Sequence, residues 1–352
     1  MSRFFSARHS DLVPYTPGEQ PRDIKYIKLN TNESPFPPSA SVGKVLDSEW
    51  NKLRLYSDPE CIDLRAELST LYGVKPEQVI MTNGSDEALN FAFMAFADAS
   101  RPLVFPDITY GFYTVFAELN NIPYTEIPLN DDFTVNTDDY MQDNRTVVIA
   151  NPNAPTGISL PLCDIEKIAA ANKNGVVIVD EAYVDFGGES AVSLIDKYDN
   201  LLVVQTFSKS RSMAGARLGF AIANEALIAD LNTVKYSTNP YNVNRLTAVA
   251  GAAALRDNDY YMENCRVIVS IREWTANELK KLGFTVTNSK TNFLFACSPL
   301  IDGGRLYEEL KKKRILVRHF NKNRISDYVR ITIGTKEQMQ SFITAVKEIL
   351  TP

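Results

Sequence analysis

The chain has 352 residues, 45% of them hydrophobic and 23% charged, which suits two domains and the composition of a folded, soluble protein. Its 37 Lys and Arg stand against 43 Asp and Glu, a net charge of −6. The densest basic run is only Lys311-Lys312-Lys313-Arg314 at the end of an expected helix, so the charge footprint of a nucleic-acid binder is excluded.

The first residues, Met1 to Asp11, contain no apolar core of a secretion signal, and no later stretch approaches the ~20 apolar residues of a membrane span. A cytoplasmic protein with no membrane partner is expected. Cys61, Cys163, Cys265 and Cys297 form no C-x-x-C pair, and His9 and His319 are the only histidines. A disulfide framework, a metal site and a histidine-based triad therefore lack their raw material.

Val13-Pro14-Tyr15-Thr16-Pro17-Gly18 reads as an extended arm. From Val79 onward, short apolar runs alternate with helical patterns. Strands are expected at Val79 to Thr82, Leu103 to Phe105, Tyr124 to Ile127, Thr146 to Ala150, Val176 to Val179, Leu201 to Gln205 and Gly219 to Ile222. Several are continuous Val/Ile runs, the pattern of parallel strands buried on both faces. Helix-length segments such as Asp86 to Ala97, Leu160 to Asn172 and Glu225 to Leu231 separate them. The expectation is an α/β fold: a large domain with a mainly parallel seven-stranded sheet flanked by helices. After Pro240 come an Ala-rich segment, Asn244 to Leu255, and an amphipathic one, Tyr260 to Leu282. Strand-like pieces follow at Phe284 to Thr287, Phe293 to Ala296, Ile315 to Arg318 and Val329 to Ile333, with a last helix from Glu337 to Leu350. This is expected as a smaller α+β unit. The divisions are an N-terminal arm at 1–29, a large domain at 30–242 and a small C-terminal domain at 243–352.

In open α/β sheets, ligands bind beyond the carboxyl ends of the strands, and polar clusters stand at those ends. Thr206-Phe207-Ser208-Lys209-Ser210-Arg211 follows an apolar strand, with Arg217 farther on. An ammonium is costly to bury unless paired or chemically converted, and a neutral amine attacks carbonyls to make a Schiff base. The hydroxyls of Thr206 and Ser208 and the Arg217 guanidinium suit a phosphate. Asp180, at the end of Val176 to Val179, could cap the next helix or hold a proton on a heteroaromatic nitrogen. Tyr183 could reach the same ligand or simply pack. Asn151-Pro152-Asn153-Ala154-Pro155-Thr156-Gly157 is a stiff turn that either decorates the surface or presents Asn153 to the site. In Thr82-Asn83-Gly84-Ser85-Asp86-Glu87, Gly84 allows close backbone approach and the N–H groups of Ser85 and Asp86 can face an anion. Tyr110 can stack on a flat ring or pack in the core. Together these supply what pyridoxal phosphate requires: an amine, an anion cradle, a pyridine-nitrogen partner, donors for a phenolic oxygen and a stacking ring.

With these segments in order, the chain resembles the fold-type I pyridoxal-phosphate-dependent aminotransferases, and among them the histidinol-phosphate aminotransferase family. Leu29-Asn30-Thr31-Asn32-Glu33-Ser34-Pro35, Tyr56-Ser57-Asp58-Pro59-Glu60, Pro240-Tyr241-Asn242-Val243-Asn244 and Val329-Arg330-Ile331-Thr332-Ile333-Gly334 match as well. The resemblance implies pyridoxal 5'-phosphate as cofactor, attached to Lys209, which also carries the catalytic proton. It places Asp180 at the pyridine nitrogen, Tyr183 and Asn153 at the ring oxygen, Tyr110 on the ring face, and Gly84, Ser85, Asp86, Thr206, Ser208 and Arg217 round the phosphate. It implies a homodimer in which Tyr56 reaches the neighbouring phosphate site. Tyr15, Asn153, Arg318 and Arg330 would bind substrate, a small amino donor or a phosphate-bearing keto compound; a dianion wants more positive charge than a carboxylate. Arg318 could instead make a surface ion pair, and His319 is expected as a bystander. Ala154, where many relatives carry Asn, and Ser57, where many carry Pro, are not expected to touch the chemistry. An aromatic amino-acid aminotransferase or a threonine-phosphate decarboxylase would carry the same cofactor residues.

Overall fold

The structure, a computed structural model, describes residues 2–21 and 24–351. The seven expected strands form one sheet in the order Val79–Thr82, Gly219–Ala223, Leu201–Thr206, Val177–Asp180, Thr146–Ala150, Leu103–Pro106, Tyr124–Ile127. Gly219–Ala223 runs antiparallel to both its neighbours, and every other pairing is parallel.

Alternate residues explain why the apolar runs are unbroken. Val147, Ile149, Val177, Val179, Leu201 and Val203 face one core, shared with the helices Ala40–Glu49, Ile62–Tyr72, Leu162–Ala171 and Arg245–Arg256. Val148, Ile178, Leu202 and Val204 face a second core under Ser85–Phe96, Phe112–Asn120 and Glu225–Thr238. A strand covered on both sides has no polar face, so period-2 alternation vanishes. All four central parallel strands point their carboxyl ends at one edge. There Pro106, Ala150, Asp180 and Thr206 hand the chain to the loops singled out above.

The smaller unit carries a four-stranded antiparallel sheet in the order Arg318–His319, Tyr328–Thr332, Phe293–Cys297, Thr285–Val286. The helices Gly303–Lys312 and Lys336–Leu350 and the second half of Asn258–Lys281 cover it. One expectation is altered. The single strand read at Ile315 to Arg318 is split, because Ile315–Leu316 pairs in parallel with Ile27–Lys28 while Arg318–His319 pairs with the 328–332 strand. Leu29, wholly buried, then continues into the small core, its N–H on Leu316 O and its carbonyl accepting from Thr332 N. The arm thus ends inside the C-terminal unit. Conversely, the Ala-rich helix 245–256 packs in the core of the large unit with Val243 and Tyr261. Its small side chains let it lie close to the 40–49 and 62–72 helices, and the two cores part inside the long helix, near Cys265. Among the described residues no helix is long and apolar enough to cross a membrane.

Candidate active site

The carboxyl edge of the sheet opens into a cleft with two lobes of about 430 and 410 Å³. Thr31, Tyr110, Ala154, Tyr183 and Lys209 line both, and so mark where the lobes meet. Lys209 is half-buried there. Its Nζ donates to Thr31 O at 3.3 Å and stands 5.7 Å from the centre of the Tyr183 ring. The lysine reaches this point because Leu201–Thr206 ends one turn earlier, with Ser208 N anchored on Thr206 Oγ1 at 3.1 Å.

The first lobe is built by the large unit. Asp180 is only 5% exposed at the end of its strand. Tyr113, fully buried, donates its hydroxyl to Asp180 Oδ2 at 2.8 Å, and Ala182 N approaches Oδ1 at 3.3 Å. Burial is the main cause that pushes the Asp180 carboxyl up to about 6, against the Tyr113 hydrogen bond, which lowers it. Such a carboxylate calls for a cationic N–H partner. At the opposite wall, Arg217 Nη2 lies 2.9 Å from Asp86 Oδ2, and Tyr110 donates to Asp86 Oδ1 at 2.8 Å. Burial, then the Asp86 charge, hold the Tyr110 hydroxyl well above its usual range. The helix Ser85–Phe96 starts here with no side-chain cap, which leaves its first N–H groups and positive dipole end for an anion. Gly84 has φ +82°, and a Cβ on it would come within 2.6 Å of Arg217 Nη2. The backbone from Thr82 to Ser85 also presses on Gly219, whose Cβ would meet Ser85 N at 2.3 Å. Only glycines permit this cradle. A buried carboxylate, two tyrosine rings and an anion cradle lining one lobe with a lysine fit pyridoxal phosphate.

Segments distant in sequence build the second lobe. Tyr15 stacks on Phe112, ring centres 4.2 Å apart, and tilts toward Tyr110 at 6.5 Å. Arg318 and Arg330 are direct cross-strand partners, a pairing that repels like charges unless an anion lies between them. Arg330 Nη2 donates to Asn30 O at 2.9 Å, while its buried Nε has no partner among the described residues. Among the described residues neither arginine forms an ion pair, and both lie near the Phe320 ring, at 5.5 and 5.6 Å. Burial lowers the Arg330 pKa, so an anionic ligand would relieve a real penalty. His319 stands outside this lobe, its Nε2 2.8 Å from Ser326 O and its ring against Tyr307.

The structure therefore gathers Ser85, Asp86, Tyr110, Asp180, Tyr183, Thr206, Ser208, Lys209 and Arg217 in one lobe and Tyr15, Arg318 and Arg330 in the other. Asn153 lies apart from both. Its Nδ2 donates to Ile108 O and Thr156 Oγ1, each at 2.9 Å, and its Oδ1 accepts from Thr109 at 2.8 Å. With its amide spent on the turn, Asn153 braces the loops, and its neighbour Ala154 lines the cleft instead. Position 154, not 153, is thus the one in this turn that borders both lobes. Tyr56 is 79% exposed and stacked on Tyr241 at 4.6 Å, outside the cleft of its own chain. Sequence reasoning also passed over Tyr113 and Asn32. The signal for Tyr113 was a hydroxyl on the apolar face of a helix three residues after Tyr110. For Asn32 it was an Asn in an Asn-Thr-Asn run, a residue that tolerates the left-handed backbone it adopts at φ 57°.

A family model described as aminotransferase class I and II matches residues 24–346. Over 352 residues the chain is 50% identical to the histidinol-phosphate aminotransferase of Brachyspira hyodysenteriae, with 99% of each chain covered. Over 351 residues it is 47% identical to that of Clostridium acetobutylicum, covering 99% of this chain and 100% of the relative. Among solved structures, the histidinol-phosphate aminotransferase of Sinorhizobium meliloti in complex with pyridoxal-5'-phosphate matches with a TM-score of 0.84 at 23% identity, over 93% of this chain and 91% of that one. That last likeness is one of fold.

Proposed function

The chain belongs to the class I and II aminotransferases, and we propose that it moves an amino group between L-histidinol phosphate or imidazole-acetol phosphate and 2-oxoglutarate or glutamate, in histidine biosynthesis. This is the reaction of the histidinol-phosphate aminotransferases that match it from end to end. The cofactor is pyridoxal phosphate, which when bound supplies the electron sink for breaking bonds at the amino carbon. One observation carries the reading. Lys209 stands at the junction of a lobe shaped for that cofactor and a lobe whose two facing arginines lack carboxylate partners.

The residues divide the work. Asp180, aimed by Tyr113, keeps a proton on the ring nitrogen by a charge-assisted hydrogen bond. Arg217, Ser208, Thr206 and the N–H groups of Ser85 and Asp86 hold the phosphate, with Arg217 exchanging part of its bond to Asp86. Tyr110 flanks the ring and Tyr183 serves its oxygen. Lys209 takes and returns the proton at the substrate's amino carbon, being the one amine shared by both lobes. Arg318 and Arg330 orient the acidic or phosphate end of the substrate, and Tyr15 closes over it to exclude water.

The working unit in this reading is a cytoplasmic homodimer of chains each made of an arm, a large domain and a small domain. Exposed Trp50, Leu53, Leu55, Tyr56 and Ile62 supply the apolar contact, and Tyr56 reaches the partner's phosphate site. The test is a substrate panel on the purified, visibly yellow holoenzyme. kcat/KM should be highest for histidinol phosphate, well above phenylalanine and threonine phosphate. A preference for phenylalanine, or carbon dioxide release from threonine phosphate, would replace the substrate assignment while leaving the cofactor in place.

A further inference from the structure

Tyr183 is 9% exposed and lines both lobes, and its hydroxyl is given a definite role by a residue at the edge of the second. Asn32 is 1% exposed, and its Nδ2 donates to Tyr183 Oη at 2.8 Å. The other end of that carboxamide is fixed, because Thr332 Oγ1 donates to Asn32 Oδ1 at 3.0 Å and accepts from Asn32 N at 3.0 Å. Asn292 Nδ2 holds the Asn32 carbonyl at 3.0 Å. Were the carboxamide turned over, the Thr332 proton would have no acceptor among the described residues. Asn32 is thus held as a donor toward Tyr183.

The consequence lies in the phenol. A tyrosine hydroxyl both accepts and donates. With its accepting side filled by Asn32, its own proton has no partner among the described residues and is left for the cleft. Accepting one hydrogen bond also polarises the O–H and strengthens the bond it donates. No second polar side chain shares the task, because Ala154 stands where the turn enters the cleft and the Asn153 amide is occupied elsewhere.

We propose that Asn32 is a positioning residue that sets the Tyr183 hydroxyl as a donor to the cofactor's ring oxygen and, through Thr332, ties that bond to the strand bearing Arg330. The inference rests on the functional reading above, in that it takes the cleft to hold pyridoxal phosphate. A hydrogen bond donated to the ring oxygen draws electron density from it and lowers the proton affinity of the nitrogen that joins lysine to cofactor. The charged groups facing Tyr183 are Lys209 beside its ring, Asp180 three residues back and Arg330 from the small unit. All three persist in the variants below.

The experiment is a pH titration of the visible absorbance of the holoenzyme. Asn32→Gly tolerates the positive φ and removes the donor toward Tyr183, along with the acceptor of the Thr332 hydroxyl. It should raise the midpoint by about half a unit to one unit, and it should cause no shift when Tyr183→Phe is already present. Asn32→Asp keeps the shape but presents an acceptor that captures the Tyr183 proton, so its midpoint should rise at least as far. An unmoved midpoint in either single variant, or equal shifts with and without the Tyr183 hydroxyl, would overturn the assignment of Asn32. A wild-type protein with no visible band after incubation with pyridoxal phosphate would instead overturn the functional reading itself.

Discussion

The two lobes of the cleft are of nearly equal volume and opposite construction. In the first, the charged side chains are braced by residues beside the strand ends, Arg217 by Asp86 and Asp180 by Tyr113, while the uncapped helix start at Ser85 and the Lys209 amine are left for the cofactor. In the second, Arg318 and Arg330 are cross-strand partners without an ion pair among the described residues, and an aromatic from the arm lines the same lobe. The first lobe is prepared for a resident group and the second for a passing one. A site that binds and releases its ligand every turnover must leave charge unsatisfied when empty, whereas a site filled once can be braced throughout.

The sharpest way to break this contrast is at the shared residue. Lys209→Ala should abolish transamination, by at least about 10⁴-fold in kcat, while cofactor phosphate binding through Arg217 survives; stopped-assay product detection together with dialysis-resistant cofactor content checks both. Next comes the second lobe alone. Arg318→Ala and Arg330→Ala should each lower kcat/KM for histidinol phosphate by roughly 30-fold to 1,000-fold, with Arg318→Ala much milder toward phenylalanine. Equal losses on both substrates would mean that Arg318 does not face the phosphate.

A smaller effect probes the first lobe through its buried carboxylate. Burial raises the Asp180 carboxyl from an ordinary 3.8 to about 6, so the folded apoprotein holds that proton more tightly than the unfolded chain. Between about pH 4 and 6 the folded state binds more protons, and this group's contribution to stability falls as pH rises through that window. Asp180→Asn removes the cost. The apoprotein should gain on the order of 2–3 kcal/mol at pH 7.5 and almost nothing at pH 4, measured by urea unfolding at the two pH values. Cofactor affinity should fall in the same variant. A carboxylate that stabilised the apoprotein at pH 7.5 would show that the first lobe is not waiting for a cation.

The contrast between the lobes also explains what could be read from the residues alone. Asp180 ends a buried strand and Lys209 and Ser85 each stand three positions beyond one, so local pattern and topology together placed them at one edge. Arg318 and Arg330 lie on the 318–319 and 328–332 strands, which no periodicity connects to Tyr15. Only the family resemblance joined them. Tyr113 was illegible for a different reason: on a helix of apolar residues a tyrosine looks like packing, and its hydroxyl acquires meaning only when the 112–120 helix is laid against the end of the 177–180 strand. The Asn153-Ala154 pair shows the limit of motif reading, because a stiff turn announces that one of its side chains enters the site without saying which. The partners of the Ala-rich helix were illegible because small residues advertise close packing and leave the partner unnamed; those partners, the 40–49 and 62–72 helices, come from a stretch without strong signals.

The short parallel pairing of Ile27–Lys28 with Ile315–Leu316 bears on how the molecule is made. Chain synthesis is vectorial, and at ~5–20 residues per second the ribosome would deliver the second strand roughly 15–60 seconds after the first. Through that interval Leu29, which ends at 0% exposure, has no core to enter, while the large sheet between the two strands is already complete in sequence. The nascent chain thus holds its opening segment in reserve until its last quarter emerges, and a nascent-chain release series should show protease protection at residues 27–29 arriving only with the C-terminal unit.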